Sequence, residues 1–377
     1  MPHLVAIDLP GGPAFVDALR REWDAGNAVL PIDRRLPPFA RTALLSSMEP
    51  DRLVDEQGTT SLDGRGSEQG DALVVVTSGS TGTPKGVVLT HAAVEASARA
   101  TSEHLGITHS DRWLACLPLA HVGGLSVVTR AIVTGVALVV HDGFDASAVQ
   151  QAAREGVTAV SLVATALQRI DPSLFRVIVL GGGRPPGDRP PNAHVTYGLT
   201  ETGSGVVYDG RPLGGVDVRI EQDGEVVLRG PMLLREYRDG STPLDADGWL
   251  HTGDLGRWSA DGRLHVEGRR GDLIITGGEN VWPEAVEAVL QQHPAIVEVA
   301  VAGIRDDEWG QRVAAWVVPA QGQRPTLVDL RSFMADRLPS FCAPKELHLV
   351  PSLPRTSLGK VQRHVLTGSR EAAADAN

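Results

Sequence analysis

Hydroxyl groups, glycines and one lysine are concentrated in one short stretch, residues 77–86. The hydroxyls come from Thr77, Ser78, Ser80, Thr81 and Thr83, Gly79 and Gly82 lie among them, and Lys85 follows Pro84. Small residues let a backbone approach a ligand closely, successive N–H groups can form an anion-binding nest, and a lysine adds mobile positive charge. This combination predicts a loop that binds a polyphosphate.

The same stretch has a plainer interpretation as a flexible polar hairpin between two strands. It is not a Walker A loop, because that motif has Gly-Lys-Ser/Thr running directly into a helix, whereas here Pro84 precedes Lys85 and Gly86 follows it. The Pro-Lys-Gly sequence favours the phosphate interpretation over a simple hairpin.

A second group of chemically capable residues lies in 196–203, Thr-Tyr-Gly-Leu-Thr-Glu-Thr-Gly. Magnesium prefers hard oxygen ligands and often takes only one or two carboxylates, and Glu201 can supply one. Thr200 can donate to a phosphate and Tyr197 can stack on a purine. Taken alone, this motif is weak evidence for a nucleotide site.

Three further positions suit a nucleoside. Asp254 can accept hydrogen bonds from both hydroxyls of a ribose, although it could equally be an ordinary loop aspartate. The strand 177–180 runs into Gly181 and Gly182, where a flat ring can lie against the backbone. The alternative there is a tight turn ahead of two prolines.

The elements that position these residues alternate between strand and helix. Residues 73–76 read as a buried strand leading into the phosphate loop, and strands over 135–141 and 157–163 flank a helix over 146–155. This alternation predicts a parallel sheet covered by helices. Residues 51–70 are polar and glycine-bearing, and we predict a surface loop there.

Length and composition restrict the remaining possibilities. A chain of 377 residues predicts two domains, and a net charge of −11 argues against a general nucleic-acid binder. No run of about twenty apolar residues is present, so we expect no membrane span. Two cysteines, Cys116 and Cys342, provide neither a disulfide framework nor a zinc cluster, and a cytoplasmic location is the default expectation.

The stretch Ser78–Gly86 resembles the phosphate loop of the adenylate-forming enzymes, which include acyl- and aryl-CoA ligases, carrier-loading adenylation domains and luciferases. The resemblance covers nearly the whole chain. It implies a mixed α/β fold with a large N-terminal adenylation core (1–269), shortened at its start, whose sheets are covered by helices. It also implies a small mobile C-terminal α+β domain (272–377). The hinge would lie near 270–271, where Gly271 replaces the usual aspartate or lysine.

The resemblance also implies a role for individual residues. Lys360, within Leu353–Arg363, resembles the lysine that reaches the acid and the α-phosphate, and the loop 277–280 would enter beside a thiol in the second step. Glu201 would bind Mg²⁺, and Arg269 would assist Asp254 at the ribose. The implied ATP-binding set is Thr77, Ser78, Gly79, Ser80, Thr81, Gly82, Thr83, Lys85, Gly181, Gly182, Tyr197, Thr200, Asp254, Arg269 and Lys360.

The acid is identified by a different set of residues. A lone histidine is more often structural than functional, but His121 lies in Pro118–Leu125, which resembles the family's acyl-pocket motif. Arg130 follows nine residues later and is either a helix-surface residue or the partner of a carboxylate. Gly198 would also line the acid site. The short N-terminal region, His121 with Arg130 nine residues later, and the run 269–283 are together most similar to the o-succinylbenzoate–CoA ligases of menaquinone biosynthesis.

The implied activity is an ATP-dependent acid–CoA ligase that uses Mg²⁺ and forms first an acyl-adenylate and then a CoA thioester. The catalytic residues would be Lys360, Lys85, Glu201 and His121, and the partners would be the acid, ATP and CoA. Other aryl or short-chain acids, a carrier protein in place of CoA, and an inactive nucleotide-binding regulator remain as alternatives, with luciferase-like oxidation disfavoured. The oligomeric state is left open, with a homodimer as one option.

Overall fold

The computed structural model describes residues 2–77, 85–183, 188–355 and 361–368. The chain divides into two compact units. The larger unit comprises residues 1–219, 227–251 and 258–264, and the smaller comprises 220–226, 252–257 and 265–377. The predicted mixed α/β architecture, with helix-covered sheets in a large first part and a small second part, is confirmed.

The first sheet of the larger unit contains seven strands: β1 (Leu4–Ile7), β2 (Ala28–Pro31), β3 (Arg52–Asp55), β4 (Gly58–Ser61), β5 (Asp71–Thr77), β6 (Lys85–Thr90) and β16 (Glu236–Tyr237). Their order is β16-β6-β5-β2-β1-β3-β4. Helices α1 (Pro13–Asp24) and α2 (Pro38–Met48) belong to this part of the chain. Strands β1 and β2 are buried along their whole length, which explains their apolar composition.

The prediction of a surface loop over residues 51–70 is wrong. Strands β3 and β4 form an antiparallel hairpin there, and β3 pairs in parallel with β1. The hairpin could not be recognised from the sequence, because β4 is an edge strand whose four residues, Gly-Thr-Thr-Ser, are all exposed. An edge strand of this kind lacks the apolar alternation by which strands are recognised.

The second sheet also has seven strands: β7 (Arg112–Ala115), β8 (Ala137–Val140), β9 (Ala159–Leu162), β10 (Val177–Leu180), β11 (Ala193–Gly198), β12 (Gly205–Tyr208) and β13 (Arg211–Pro212). Their order is β13-β12-β11-β10-β9-β7-β8. Five neighbouring strands of this sheet pair in parallel, namely β11, β10, β9, β7 and β8. This confirms the predicted parallel sheet, with α5 (Ala146–Arg154) between β8 and β9 and the short α6 (Ala164–Leu167) after β9.

Two helices connect these sheets within the larger unit. Helix α3 (His91–His104) contacts β5 and β6 of the first sheet, and α4 (Val122–Thr134) contacts β7 and β9 of the second. The two helices pack against each other. Thr90 caps α3 by accepting from the backbone N–H of Ala93, so the helix begins directly where β6 ends.

A four-stranded sheet follows, formed by β14 (Asp217–Ile220), β15 (Glu225–Arg229), β17 (Leu250–Trp258) and β18 (Leu264–Arg269) in that order. The smaller unit then contains β19 (Ile274–Thr276), β20 (Glu279–Val281), β21 (Ile296–Asp306), β22 (Gly310–Pro319) and β23 (Glu346–Leu349). Its helices are α7 (Pro283–Leu290), α8 (Leu327–Met334) and α9 (Arg363–Gly368). In the part of the chain that the structure describes, every helix is too short or too polar to span a lipid bilayer.

Arg238 fastens the segment around residues 48–66 to the strand that follows the phosphate loop. Its guanidinium donates to the carbonyls of Met48 (3.1 Å), Glu49 (3.3 Å) and Gly66 (2.8 Å), and also to that of Arg65. Two of these carbonyls close the C-terminal end of α2, where helical carbonyls lack intrahelical donors. The Arg238 backbone N–H donates to Gly86 O at 2.7 Å.

Replacing Arg238 with methionine is expected to lower the free energy of unfolding by about 2–3 kcal/mol, because several carbonyls lose their donor. Urea unfolding measures the loss, and hydrogen exchange should accelerate in peptides covering residues 48–66. Arg99→Met is the control, since Arg99 forms only an exposed pair with Glu95 four residues earlier. Equal stability of the two variants would contradict this assignment.

Candidate active site

The predicted phosphate loop joins two antiparallel strands. Thr77 ends β5, Lys85 begins β6, and the two residues lie opposite each other in the ladder. The loop residues Ser78, Gly79, Ser80, Thr81, Gly82 and Thr83 lie outside the described residues. The described flanks place Lys85 at the mouth of this hairpin, where its position is fixed by strand pairing.

Lys85 and Glu201 are connected through Tyr237. The Lys85 ammonium lies 4.5 Å from the centre of the Tyr237 ring, a cation–π contact, and the Tyr237 hydroxyl donates to Glu201 Oε1 at 2.9 Å. Strand β16 places Tyr237 beside β6, opposite Val87. Two residues predicted to handle phosphate and Mg²⁺ therefore belong to one contiguous cluster.

The backbone around Glu201 is closely held. Glu201 and Thr200 lie in a 3₁₀ turn directly after β11, and the Glu201 carbonyl accepts from Leu234 N–H at 2.8 Å. Thr202 is fully buried, and its hydroxyl accepts from Leu199 N–H and donates to a backbone carbonyl. These bonds fix the turn, so the Glu201 carboxylate starts from a defined backbone position.

Sequence reasoning missed Tyr237. It lies in a two-residue strand between two arginines, and no motif surrounds it. The only sequence signal was the scarcity of tyrosine, since the chain has three in all. Its role became visible only through the pairing of β16 with β6.

The predicted adenine loop lies beside the predicted stacking tyrosine. Gly181 and Gly182 follow β10, whose neighbour in the sheet is β11, the strand that carries Tyr197 and Gly198. Thr196 Oγ1 donates to the Leu180 carbonyl at 3.1 Å and ties the ends of the two strands together. A side chain at Gly198 would place its Cβ 2.2 Å from the Ser204 carbonyl, so glycine is required there.

His121 contacts two residues near the start of the chain. Its Nε2 lies 3.2 Å from Asp33 Oδ2 and 3.3 Å from Arg35 Nη2, in the segment that follows β2. Arg35 binds the Asp33 carboxylate through two parallel contacts of 2.8 and 2.7 Å. Asp33 and Arg35 were not predicted as site residues, because neither belongs to a motif.

Arg130 occupies a different environment from His121. Its side chain is 2% exposed, its guanidinium lies 4.8 Å from the Trp113 ring, and Nη2 is 3.4 Å from Ser204 Oγ. Nε and Nη1 have no hydrogen-bond acceptor among the described residues. His121 is the extended residue before α4, whereas Arg130 lies within the helix, more than two turns further on.

The cavity beside Arg130 is lined by residues of the α3–α4 pair, among them Ser97, Leu125, Ser126 and Thr129. Its volume of about 10 Å³ accommodates roughly one water molecule. Burial lowers the pKa of Arg130, yet an arginine remains charged at neutral pH. Arg130 is therefore a buried cation with free donors, next to a space that must widen to admit a larger group.

In the smaller unit, Asp254 and Arg269 form a pair. Arg269 Nε lies 3.0 Å from Asp254 Oδ1, and Arg269 Nη1 donates to the Thr252 carbonyl at 2.6 Å. Asp254 is 6% exposed, whereas nearly half of the Arg269 side chain is accessible. The structure thus brings together the two residues predicted to act at a ribose.

The segment around the predicted hinge is described, whereas the predicted catalytic lysine is not. Gly271 lies in a short 3₁₀ turn, Arg270–Asp272, and nothing crowds a side chain at this position. Lys360 lies outside the described residues. Just beyond it, Arg363 pairs with Asp272 (3.1 Å), Glu284 (3.1 Å) and Glu287 (2.8 Å), which ties α9 to α7 and the residues after Arg269.

Neither cysteine is suited to nucleophilic catalysis. Cys116 and Cys342 are both buried, and burial raises the pKa of Cys116 to about 12. No group of three or more histidine, cysteine, aspartate or glutamate side chains is arranged for a metal within the described ranges.

Comparison with known proteins identifies both parts of the chain. The family of AMP-binding enzymes matches residues 2–238, and the C-terminal domain of AMP-binding enzymes matches residues 285–360. The two matches lie on either side of the predicted hinge, whose exact position stays a prediction.

Two similar proteins are named for the same activity. A probable 2-succinylbenzoate–CoA ligase from Mycobacterium tuberculosis is 41% identical over 330 residues, which cover 81% of this chain and 86% of that protein. A 2-succinylbenzoate–CoA ligase from Bacillus anthracis is 37% identical over 333 residues, which cover 78% of this chain and 69% of that protein.

Solved structures agree with these sequences. The o-succinylbenzoate CoA synthetase from Bacillus subtilis in complex with its acyl-adenylate intermediate superimposes with a TM-score of 0.87 at 29% identity, covering 97% of this chain and 88% of that one. The same synthetase in complex with ATP and a magnesium ion superimposes with a TM-score of 0.84 at 29% identity, and the match covers 96% of this chain and 88% of that one.

Proposed function

This chain belongs to the AMP-binding enzyme family, and from that premise we propose that it converts o-succinylbenzoate to its CoA thioester in menaquinone biosynthesis. The reaction has two steps. ATP is consumed in the first, which forms an acyl-adenylate intermediate. The observation that carries the proposal is the Lys85–Tyr237–Glu201 cluster at the mouth of the predicted phosphate loop. The relatives named 2-succinylbenzoate–CoA ligase support the choice of acid.

The first step must overcome repulsion between two anions. The carboxylate oxygen of the acid attacks the α-phosphorus of ATP, the bond to the β-phosphate oxygen breaks, and pyrophosphate leaves. Lys85 would neutralise the outer phosphates, and Lys360 would act between the acid and the α-phosphate. Both lysines would stabilise charge that is greatest while the adenylyl group is being transferred.

Glu201 fits the requirements of a magnesium site in this family. Mg²⁺ commonly binds one or two carboxylates and completes its shell with substrate phosphates and water, so a single glutamate is sufficient. Bound Mg²⁺ would supply positive charge at the phosphate oxygens. The Tyr237 hydroxyl orients one Glu201 oxygen, and the face of the Tyr237 ring contacts the Lys85 ammonium.

The nucleoside would be held by residues already paired or adjacent. Asp254 would accept from the ribose hydroxyls while Arg269 holds the carboxylate in place. Gly181 and Gly182 would let the adenine lie against the backbone, with Tyr197 on the neighbouring strand. Thr200, next to Glu201, would donate to a phosphate.

The second step transfers the acyl group to the thiol of CoA, with AMP as leaving group. The buried cysteines make an enzyme-bound thioester an unsuitable route. The family resemblance implies that the C-terminal domain rotates, so that Lys360 leaves and the loop 277–280 enters. Gly271 would permit this rotation, because glycine tolerates a wide range of backbone angles.

The second carboxylate of o-succinylbenzoate would bind Arg130. A buried guanidinium with unpaired donors is suited to a bidentate contact with a carboxylate. The adjoining cavity has to widen for this, so substrate binding would displace side chains of the α3–α4 pair. The enzyme would work in the cytoplasm, with the acid, ATP and CoA as its small-molecule partners.

Acid-dependent exchange of labelled pyrophosphate into ATP tests the first step without CoA. We expect exchange with o-succinylbenzoate and Mg²⁺, and none when the acid is omitted. Exchange with a different acid only would retain the adenylation and reject the assigned substrate. Absence of exchange with every acid would favour the inactive nucleotide-binding alternative.

A further inference from the structure

We infer that Asp33, held by Arg35, is a positioning residue that fixes the tautomer and the direction of the His121 ring. This inference rests on the proposed function, because His121 is assigned there to the acid site. It gives the segment after β2 a part in acid activation that no motif indicates.

The Asp33 carboxylate is held in one orientation. Its side chain is 7% exposed, and Arg35 contacts Oδ1 through Nε and Oδ2 through Nη2 in a bidentate pair. The Arg35 backbone N–H also donates to Oδ1 at 3.1 Å. Burial alone would raise the pKa of Asp33, but hydrogen bonds from His121 and Arg35 outweigh burial and hold that pKa far below its usual value.

An ionised Asp33 determines which ring nitrogen of His121 carries the proton. The carboxylate can only accept hydrogen bonds, and Arg35 can only donate them. His121 Nε2 lies 3.2 Å from Asp33 Oδ2 and 3.3 Å from Arg35 Nη2. Because Arg35 Nη2 already donates to Asp33 Oδ2 at 2.7 Å, we place the hydrogen on Nε2, which then donates to the same carboxylate oxygen. In the neutral ring the lone pair is then on Nδ1, which becomes the acceptor available to a ligand.

The backbone of His121 is fixed independently of its ring. His121 is the residue before α4, and its carbonyl accepts from Leu125 N–H at 2.9 Å. Gly124 packs tightly beneath this turn, because a Cβ there would lie 2.3 Å from the Leu117 carbonyl. The start of α4 fixes the His121 backbone and Asp33 fixes Nε2, so the orientation of the imidazole ring is determined at both ends.

A purely structural role for Asp33 is the competing explanation. The Asp33 carbonyl accepts from Leu36 N–H at 3.1 Å, so this residue also shapes the turn after β2. Asp33→Asn keeps that backbone bond and the side-chain volume. It replaces the anion with an amide. The amide oxygen is best placed at the Oδ1 position, which accepts from two Arg35 donors, so the NH₂ group would face His121 and favour Nε2 as an acceptor.

The matched control is Asp111→Asn. Asp111 is a second buried aspartate of the larger unit, 4% exposed, and Arg176 binds it bidentately at 2.8 and 2.7 Å. It therefore reproduces the loss of a buried arginine-bound carboxylate. Its other partners among the described residues are the Thr108 backbone N–H and the hydroxyls of Thr108 and Thr158, and no histidine is among them. A merely structural role for Asp33 predicts that the two variants behave alike.

The experiment compares wild type, Asp33→Asn, Asp111→Asn, His121→Ala and the Asp33→Asn/His121→Ala double variant by pyrophosphate exchange across pH. For Asp33→Asn we expect kcat/KM for the acid to fall about 10- to 100-fold, by analogy with the loss seen when the hydrogen-bond partner of a metal-binding histidine is removed. KM for ATP should be unchanged and the pH profile altered. The double variant should resemble His121→Ala alone, and Asp111→Asn should retain wild-type kcat/KM.

A spectroscopic measurement separates this inference from the proposed function. In protein with ¹⁵N-labelled histidine, the His121 signal, identified by its loss in His121→Ala, should report hydrogen on Nε2 in wild type and on Nδ1 in Asp33→Asn. An unchanged tautomer, or equal kcat/KM losses in Asp33→Asn and Asp111→Asn, would overturn the inference. If wild type activates no acid, the proposed function fails, and the tautomer still decides the role of Asp33.

Discussion

Replacing Arg130 with alanine is expected to raise KM for o-succinylbenzoate roughly 100-fold or more, equivalent to about 3 kcal/mol, while the inhibition constant of benzoate as a competitor changes little. The physical reason is that truncating one partner of a desolvated, hydrogen-bonded charge pair removes the pairing and leaves the substrate carboxylate buried alone. A monocarboxylate has no group at that position and loses nothing there. Steady-state kinetics with both acids measures the difference.

The stability of Arg130 variants provides an independent control. In the described chain Arg130 Nε and Nη1 have no acceptor, so a buried cation is held without a carboxylate. Arg130→Met, which keeps most of the volume, should therefore be at least as stable as wild type although it binds the dicarboxylate poorly. Equal losses with both acids, or severe destabilisation of Arg130→Met, would make Arg130 a structural residue held by Trp113.

Replacing Glu201 with glutamine is expected to lower the rate of adenylate formation about 100- to 1,000-fold and to raise the Mg²⁺ concentration needed for half-maximal rate. The change keeps the size of the side chain but removes the charge proposed to hold the metal where phosphate charge develops. Quenched-flow measurement of acyl-adenylate at several Mg²⁺ concentrations tests both effects.

Tyr237→Phe is the companion variant to Glu201→Gln. It removes the 2.9 Å hydrogen bond to Glu201 Oε1 while keeping the ring under the Lys85 ammonium. The Mg²⁺ requirement should rise severalfold, with a much smaller effect on the rate at saturating Mg²⁺. A Glu201→Gln enzyme with normal Mg²⁺ dependence would contradict the proposed metal site.

Much of the site was predictable because its residues lie in contiguous stretches. The turn carrying Thr200 and Glu201, and the strand end before Gly181, combine recognisable residue types with local strand and turn patterns. Asp254 and Arg269 are fifteen residues apart, and the structure pairs them across a sheet as the resemblance implied.

Residues that act through tertiary pairing could not be found from sequence. Tyr237 reaches Glu201 only because a two-residue strand joins β6, and Asp33 reaches His121 across 88 positions of the chain. His121 and Arg130 were assigned to one acid site, but the structure gives them separate partners: His121 contacts Asp33 and Arg35, whereas Arg130 contacts Trp113 and Ser204. The hairpin at residues 52–61 was missed because its outer strand is polar and fully exposed.

The central claim is tested most directly by mass spectrometry of the products formed from ATP, Mg²⁺, CoA and o-succinylbenzoate, run against benzoate, acetate and octanoate. We expect AMP, pyrophosphate and a CoA adduct from o-succinylbenzoate alone. An adduct from another acid would reject the assigned substrate, and AMP release without an adduct would indicate transfer to a carrier protein. Absence of any acyl-adenylate or CoA adduct from all four acids would contradict the account.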